Sequence, residues 1–163
     1  MEEKYKLIDG KKVTCAVVMI NNEGDILGVH ATGRKPGQGY DFPKGLAQED
    51  ETDILAAARE LKEETDICIY DLDKHNVWNK MHRLVDAGIY PHGKDKLIHI
   101  FLYKTEYFPD LNTLRCTSYF ERYGKQIPEV DGYAIISKEN RYRFNALLQD
   151  KFEIIDNFNK CIR

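Results

Sequence analysis

A single helix sets the terms for this fold. Thr52 to Thr65 reads TDILAAARELKEET, and three glutamates, Glu60, Glu63 and Glu64, fall within five positions. Asp50 or Thr52 can cap its start, and Asp53 suits the positive end of the dipole. Alanine and leucine fill its middle. Ile54, Ala58, Leu61 and Thr65 share one stripe at helical spacing and are expected to face a core. The three glutamates share another stripe, with Arg59 beside them. Like charges three or four residues apart cost a few tenths of a kcal/mol per pair. The fold must therefore leave this stripe to solvent or hold a cation against it.

The segments around the helix are mostly extended. Lys11 to Ile20, KKVTCAVVMI, is β-branched and apolar and reads as a buried strand. NNEGD is a turn, and ILGVHAT returns as a second strand. GRKPGQG is a glycine-rich loop carrying Arg34 and Lys35. YDFPKG is extended, because Pro43 disfavours helix at Phe42. After the helix, ICIY reads as a short strand. NVWNKMHRLVDAGIY and KLIHIFLYKT form a hairpin about the turn PHGKD. EYFPDLNTLRCTSYFERYGKQIP reads as irregular and aromatic-rich. EVDGYAIIS is a last strand. A closing amphipathic helix places Phe144, Leu148, Phe152, Ile155, Phe158 and Ile162 on one side. Strands around two helices imply an α/β (α+β) sandwich in one domain, residues 1–163.

Composition excludes several classes. The 163 residues are 42% apolar and 31% charged, with a net charge of −3. That balance opposes a general polyanion binder, so any nucleic-acid contact must be local. Cys15, Cys68, Cys116 and Cys161 are scattered without a C-x-x-C pair, which opposes a zinc site and suits reduced thiols. The charged start, MEEKYKLIDG, lacks an apolar signal core. No segment approaches the ~20 apolar residues of a membrane span. A cytoplasmic protein without membrane contact is expected.

Exposed acids alone need no explanation, but the spacing here is specific. Gly45, five residues, Glu51, seven residues, then Arg59-Glu60-Leu61-Lys62-Glu63-Glu64-Thr65-Asp66-Ile67 closely resembles the signature of the Nudix hydrolase family. Gly45, Glu51, Arg59, Glu60, Glu63 and Glu64 match by identity, and Leu61 and Ile67 by type. Six such identities coincide at one site by chance roughly once in ten million. Asp66 stands where the family has glycine. That glycine normally ends the helix in the left-handed conformation, which Asp tolerates better than most residues.

The resemblance implies a mixed β-sheet between helices and a divalent cation, Mg²⁺ or Mn²⁺, held by oxygen ligands. By correspondence Glu60, Glu63 and Glu64 are the metal ligands, with a Gly45 carbonyl assisting. Glu51 and Arg59 are the pair that anchors the loop. Glu129, in IPEVDGYAII, resembles a late glutamate that several family members place near the metals, as ligand or general base. Lys44, directly before Gly45, suits a phosphate contact, and Arg34 and Lys35 could neutralise further phosphates. Tyr40, Tyr119, Phe120 and Tyr133 could stack a purine. YDFPKG with the signature looks most like the diadenosine polyphosphate hydrolases and the messenger RNA decapping enzymes. PEVDGY resembles the bacterial RNA pyrophosphohydrolases. The implied substrate is a nucleotide-type diphosphate: a dinucleoside polyphosphate first, a capped or triphosphorylated RNA 5′ end second. Two alternatives are a diphosphoinositol polyphosphate and a catalytically silent nucleotide-binding module.

Overall fold

In a computed structural model, residues 4–69 and 84–162 are described. The strands are β1 (Leu7–Ile8), β2 (Lys11–Ile20), β3 (Ile26–Ala31), β4 (Tyr40–Asp41), β5 (Lys44–Leu46), β6 (Leu84–His92), β7 (Lys96–Lys104), β8 (Tyr119–Arg122), β9 (Lys125–Pro128) and β10 (Val130–Ile136). The helices are α1 (Asp53–Thr65) and α2 (Phe152–Cys161). A mixed sheet runs in the order β10-β3-β2-β7-β6, with β1 and β5 on β2 and β4 on β3. The central pair β2–β7 is parallel, and its strands are buried on both faces, as their continuous apolar runs require.

The alternation of β2 divides the core. Cys15, Val17 and Met19 pack with Ala57 and Leu61 of α1. Ala16, Val18 and Ile20 pack with Leu148, Phe152 and Ile155 from the closing segment. The sheet thus lies between helical layers, as the α+β expectation held. No described helix is long and apolar enough to cross a membrane.

The α1 start is Thr52, whose hydroxyl accepts from the Leu55 N–H at 3.4 Å. The expected stripe of Ile54, Ala58, Leu61 and Thr65 faces the core, and the buried side is wider than expected. Ile54 and Ala58 are only half-buried, whereas Ala56, Ala57, Glu60, Leu61, Glu64 and Thr65 are buried. Glu60 and Glu64 of the acidic stripe therefore do not face solvent, while Glu63 stays partly exposed. The stripe borders the core because β5 and the loop before it pack against that side of the helix.

Three further expectations are corrected. ICIY forms no strand: after the left-handed Asp66 closes α1, Ile67 and Cys68 are irregular and Ile69 is already helical, with Ile67 and Ile69 buried in the α1-side core. Tyr70, and the residues before Leu84 in the expected hairpin, lie outside the described residues. The aromatic segment is not irregular throughout, since β8 and β9 pair as a hairpin. The two residues between them, Tyr123 and Gly124, have φ of 51° and 75°, the positive values of the tight turn that matches strand twist. The closing helix is also broken. Two 3₁₀ turns, Lys138–Arg143 and Ala146–Lys151, precede α2, because the Asn145 side chain accepts from the Leu147 N–H and restarts the chain there.

Candidate active site

Gly45 lies at the meeting of β5 and α1. Strand β5 pairs with β2 so that Gly45 sits opposite Cys15, on the face that α1 covers. A Cβ on Gly45 would stand 2.0 Å from the Glu60 carboxyl carbon. No larger residue leaves room for that carboxylate. Next to it, the Lys44 backbone N–H donates to Glu64 Oε1 at 3.1 Å. Two glutamates, one helical turn apart, thus reach back to two successive residues of one short strand.

Arg59 ties the preceding loop to the helix. Its Nη2 donates to Glu51 Oε1 at 2.7 Å and its Nε to Glu51 Oε2 at 3.1 Å. Nη2 also meets the Leu46 carbonyl at 3.1 Å, and the Gln48 N–H donates to Glu51 at 2.9 Å. This fork-to-fork pair fixes orientation as well as charge. Nη1 reaches Glu60 at 2.8 Å and Glu63 at 3.3 Å.

Burial dominates the electrostatics. It pushes Glu60 up to about 7; the Arg59 guanidinium opposes this, while Glu63 and Glu129 add to it. Glu64 is pushed well above the usual carboxylate range, first by burial, with Glu60 and Glu129 contributing. Hydrogen bonds through Ser118 and Thr117 carry Glu129 to the C-terminal end of α1. Ser118 holds the carboxylate: its Oγ donates to Glu129 Oε2 at 3.2 Å, and the Glu129 N–H donates to the Ser118 carbonyl at 3.0 Å. The preceding residues close the end of α1, with the Thr117 N–H donating to the Glu63 carbonyl at 2.6 Å and that of Arg115 to the Thr65 carbonyl at 3.1 Å.

The structure brings Gly45, Glu60, Glu63, Glu64, Arg59, Lys44 and Glu129 into one neighbourhood. Lys44 Nζ lies 3.6 Å from Asp41 Oδ2. Asp41 is a site neighbour that sequence reasoning missed. It is buried, its Oδ1 has no protein partner, and burial raises its pKa against the pull of Lys44 and Arg34. Its only sequence signal was its place in YDFPKG. The Tyr133 hydroxyl donates to the Glu64 carbonyl at 2.6 Å, bracing the helix. Tyr40 packs edge-on to His30 and beneath Arg143. Arg34 and Lys35 line a cavity of about 560 Å³, together with Gln38, Tyr142 and Gln149. Tyr119 and Phe120 belong to the hairpin.

The donor set suits a hard divalent cation. It offers carboxylates and a backbone carbonyl, and two of its carboxylates have raised proton affinity, first from burial and then from neighbouring carboxylates, a charge cost that a cation would offset. Among the described residues no three acidic, histidine or cysteine side chains already converge as a finished cage. Glu60 and Glu63 both engage Arg59, and they must turn from it to share an ion.

The family model described as the NUDIX domain matches residues 10–135. No curated protein matches the chain. Among solved structures, a MutT protein from Methanosarcina mazei Go1 is 20% identical, with a TM-score of 0.57, covering 98% of this chain and 99% of that one. A bifunctional NMN adenylyltransferase/ADP ribose pyrophosphatase from Francisella tularensis, complexed with AMP and a manganese ion, is 21% identical at a TM-score of 0.54, over 91% of this chain and 40% of that one. A C. elegans Ap4A hydrolase binary complex is 16% identical at a TM-score of 0.58, over 93% and 99%. At these identities the structures show a shared fold. The family match spans most of the chain and takes in the whole Gly45–Glu64 corner, and it shows that this chain belongs to the NUDIX family, whose hydrolases act on pyrophosphate bonds.

Proposed function

We propose that the chain is a pyrophosphohydrolase dependent on Mg²⁺ or Mn²⁺, acting on a nucleoside diphosphate linked to a second group. The carrying observation is the buried pair Glu60 and Glu64, seated on Gly45 and Lys44 with Glu63 beside them. Glu60, Glu63 and Glu64 would hold the ion, with the Gly45 carbonyl assisting. When bound, the ion supplies charge neutralisation on the phosphates and acidifies water for attack. The chain's own groups do the rest. Glu129, oriented by Ser118, is the base that takes the proton from water or a further ligand. Lys44 receives charge on the departing phosphate, released from Asp41 as it does so. The cavity beside Arg34 and Lys35 has the size and mixed polarity of a site for one nucleoside.

Of the substrates in this class, a dinucleoside polyphosphate ranks first, in keeping with the net negative charge of the chain. An RNA 5′ end is the second reading, favoured by the cations and aromatics of the β8–β9 hairpin. The four cysteines are free thiols, consistent with one domain working in the cytoplasm. The test is a panel of diphosphate compounds incubated with protein and Mg²⁺, with products resolved by chromatography. Cleavage to mononucleotides, lost on exhaustive chelation and restored by Mg²⁺, is expected. Turnover that survives chelation would sink the metal assignment.

A further inference from the structure

The β8–β9 hairpin carries three features that the fold alone does not require. Its two strands pair with each other and with no third strand among the described residues, and such a pair is marginal in water. Its turn puts Tyr123 at φ 51°, a conformation that a Cβ disfavours, and leaves that ring 96% exposed. Its register sets Arg122 directly opposite Lys125, and like charges in that relation repel. Tyr119, 54% exposed, stands at the hairpin's base.

The base is fastened to the catalytic corner. Ser118, one residue before β8, bonds Glu129, one residue after β9, and Thr117 bonds Glu63. From Ser118 to Arg122 is four residues of strand, ~13 Å at 3.3 Å each. The cationic pair and the exposed ring therefore lie at the far end of a short arm whose base is Ser118 and Glu129. The cavity beside Arg34 adjoins the same corner differently. It borders Phe144, which packs in the core on the sheet face away from α1, and its Arg34 acts electrostatically on Asp41, the partner of Lys44. Thr32, at the start of the cavity loop, joins the two: its N–H donates to the Glu129 carbonyl and its hydroxyl to that of Pro128. Glu129 is thus tied on one side to the hairpin and on the other to the cavity loop, each with cations and an exposed tyrosine.

We propose that the hairpin is the binding arm for the second nucleotide of a bipartite substrate, with Arg122 and Lys125 against its phosphates and Tyr123 against its base. This rests on the hydrolase reading above and names its substrate class as two nucleotides joined through phosphates. An anion between Arg122 and Lys125 removes their repulsion, and a stacked base gives the exposed ring a partner.

The experiment is calorimetric titration, in Mg²⁺, of two uncleavable ligands: a diadenosine tetraphosphate and an ADP-ribose, each with methylene in place of the bridging oxygens. Wild type is compared with an Arg122→Ala, Lys125→Ala double variant and with Tyr123→Gly, which keeps the turn because glycine accepts its φ. The ratio of the two Kd values, dinucleoside over single-nucleoside ligand, is expected to rise about tenfold in each variant. An unchanged ratio overturns the proposal. So does wild-type protein that fails to bind the dinucleoside ligand more tightly, or an equal weakening of both ligands, which would make the hairpin a mere support for Glu129. A triphosphorylated RNA of about twenty nucleotides is the third ligand; weakening confined to it would make the hairpin a strand-binding arm instead. Since binding is read, a failure of the hydrolase reading in the turnover panel remains distinguishable.

Discussion

Asp66 closes α1 at φ 62°, with its N–H donating to the Lys62 carbonyl at 2.8 Å. Glycine takes that conformation freely, whereas Asp strains in it. The side chain returns only an exposed contact to Lys62 at 3.2 Å, worth a few tenths of a kcal/mol. Asp66→Gly is therefore expected to raise stability by ~0.5–1 kcal/mol, read as a higher midpoint in urea; a lower midpoint would show that the side chain matters more than the strain. Glu64 sets the opposite balance, stability against activity. Its burial disfavours the charged form, so Glu64→Gln keeps the shape, keeps an acceptor for the Lys44 N–H and removes the charge. The variant should fold with an unchanged circular dichroism spectrum and lose two or more orders of magnitude in kcat. Near wild-type turnover would remove Glu64 from the ion.

At the scale of elements, the loop from Lys44 to Glu51 and helix α1 act as one body through Arg59. Lysine at this position keeps the charge and loses the fork, so Glu51 and the Leu46 carbonyl cannot both be met. With the Arg59 side chain 29% exposed, Arg59→Lys should cost ~1–2 kcal/mol. It should also lower kcat, because Gly45 and Lys44 ride on that loop. A thermal melt and a turnover assay on the same sample check both, and a stability loss with full activity would separate the loop from the chemistry. This corner was legible beforehand because its chemistry is local: Gly45 to Glu64 spans twenty consecutive residues with fixed spacing. Asp41 was harder, since its burial depends on how β4 crosses β3. Ser118 was hidden further, being joined to Glu129 only through the pairing of β8 with β9. The break at Asn145 was missed because the apolar stripe from Phe144 to Ile155 persists through it. Periodicity records which side is buried and is blind to a helix that stops and restarts.

Over the whole molecule, the sheet edge, the cavity loop and the strand after Glu129 are joined at His30. Its Nδ1 lies 2.5 Å from Asp131 Oδ1 on β10, and its Nε2 lies 3.1 Å from the Lys35 carbonyl in the loop. Both partners are acceptors, so both contacts are hydrogen bonds only when both ring nitrogens carry protons. Burial opposes that charged form, but the Asp131 carboxylate and the Lys35 carbonyl outweigh it and raise the His30 pKa above its ordinary 6.5. Tyr40, edge-on at 5.3 Å, adds no charge. A raised folded pKa means that the folded state binds the proton more tightly than the unfolded chain. The contribution is then complete below the unfolded value near 6.5 and fades as pH climbs through the folded one. Other groups titrate over the same range, so the difference from a variant isolates this one. His30→Gln, which can meet only one acceptor with its amide hydrogens in this geometry, should melt below wild type at pH 6, and the gap should narrow by pH 8.5. With the latch loosened at high pH, the loop bearing Arg34 and Lys35 should exchange its amide hydrogens faster, relative to β2, than at low pH after correction for intrinsic rates. A gap in melting temperature that is constant across this range, or that widens with pH, would show that His30 is held neutral and that the loop is fastened by other contacts.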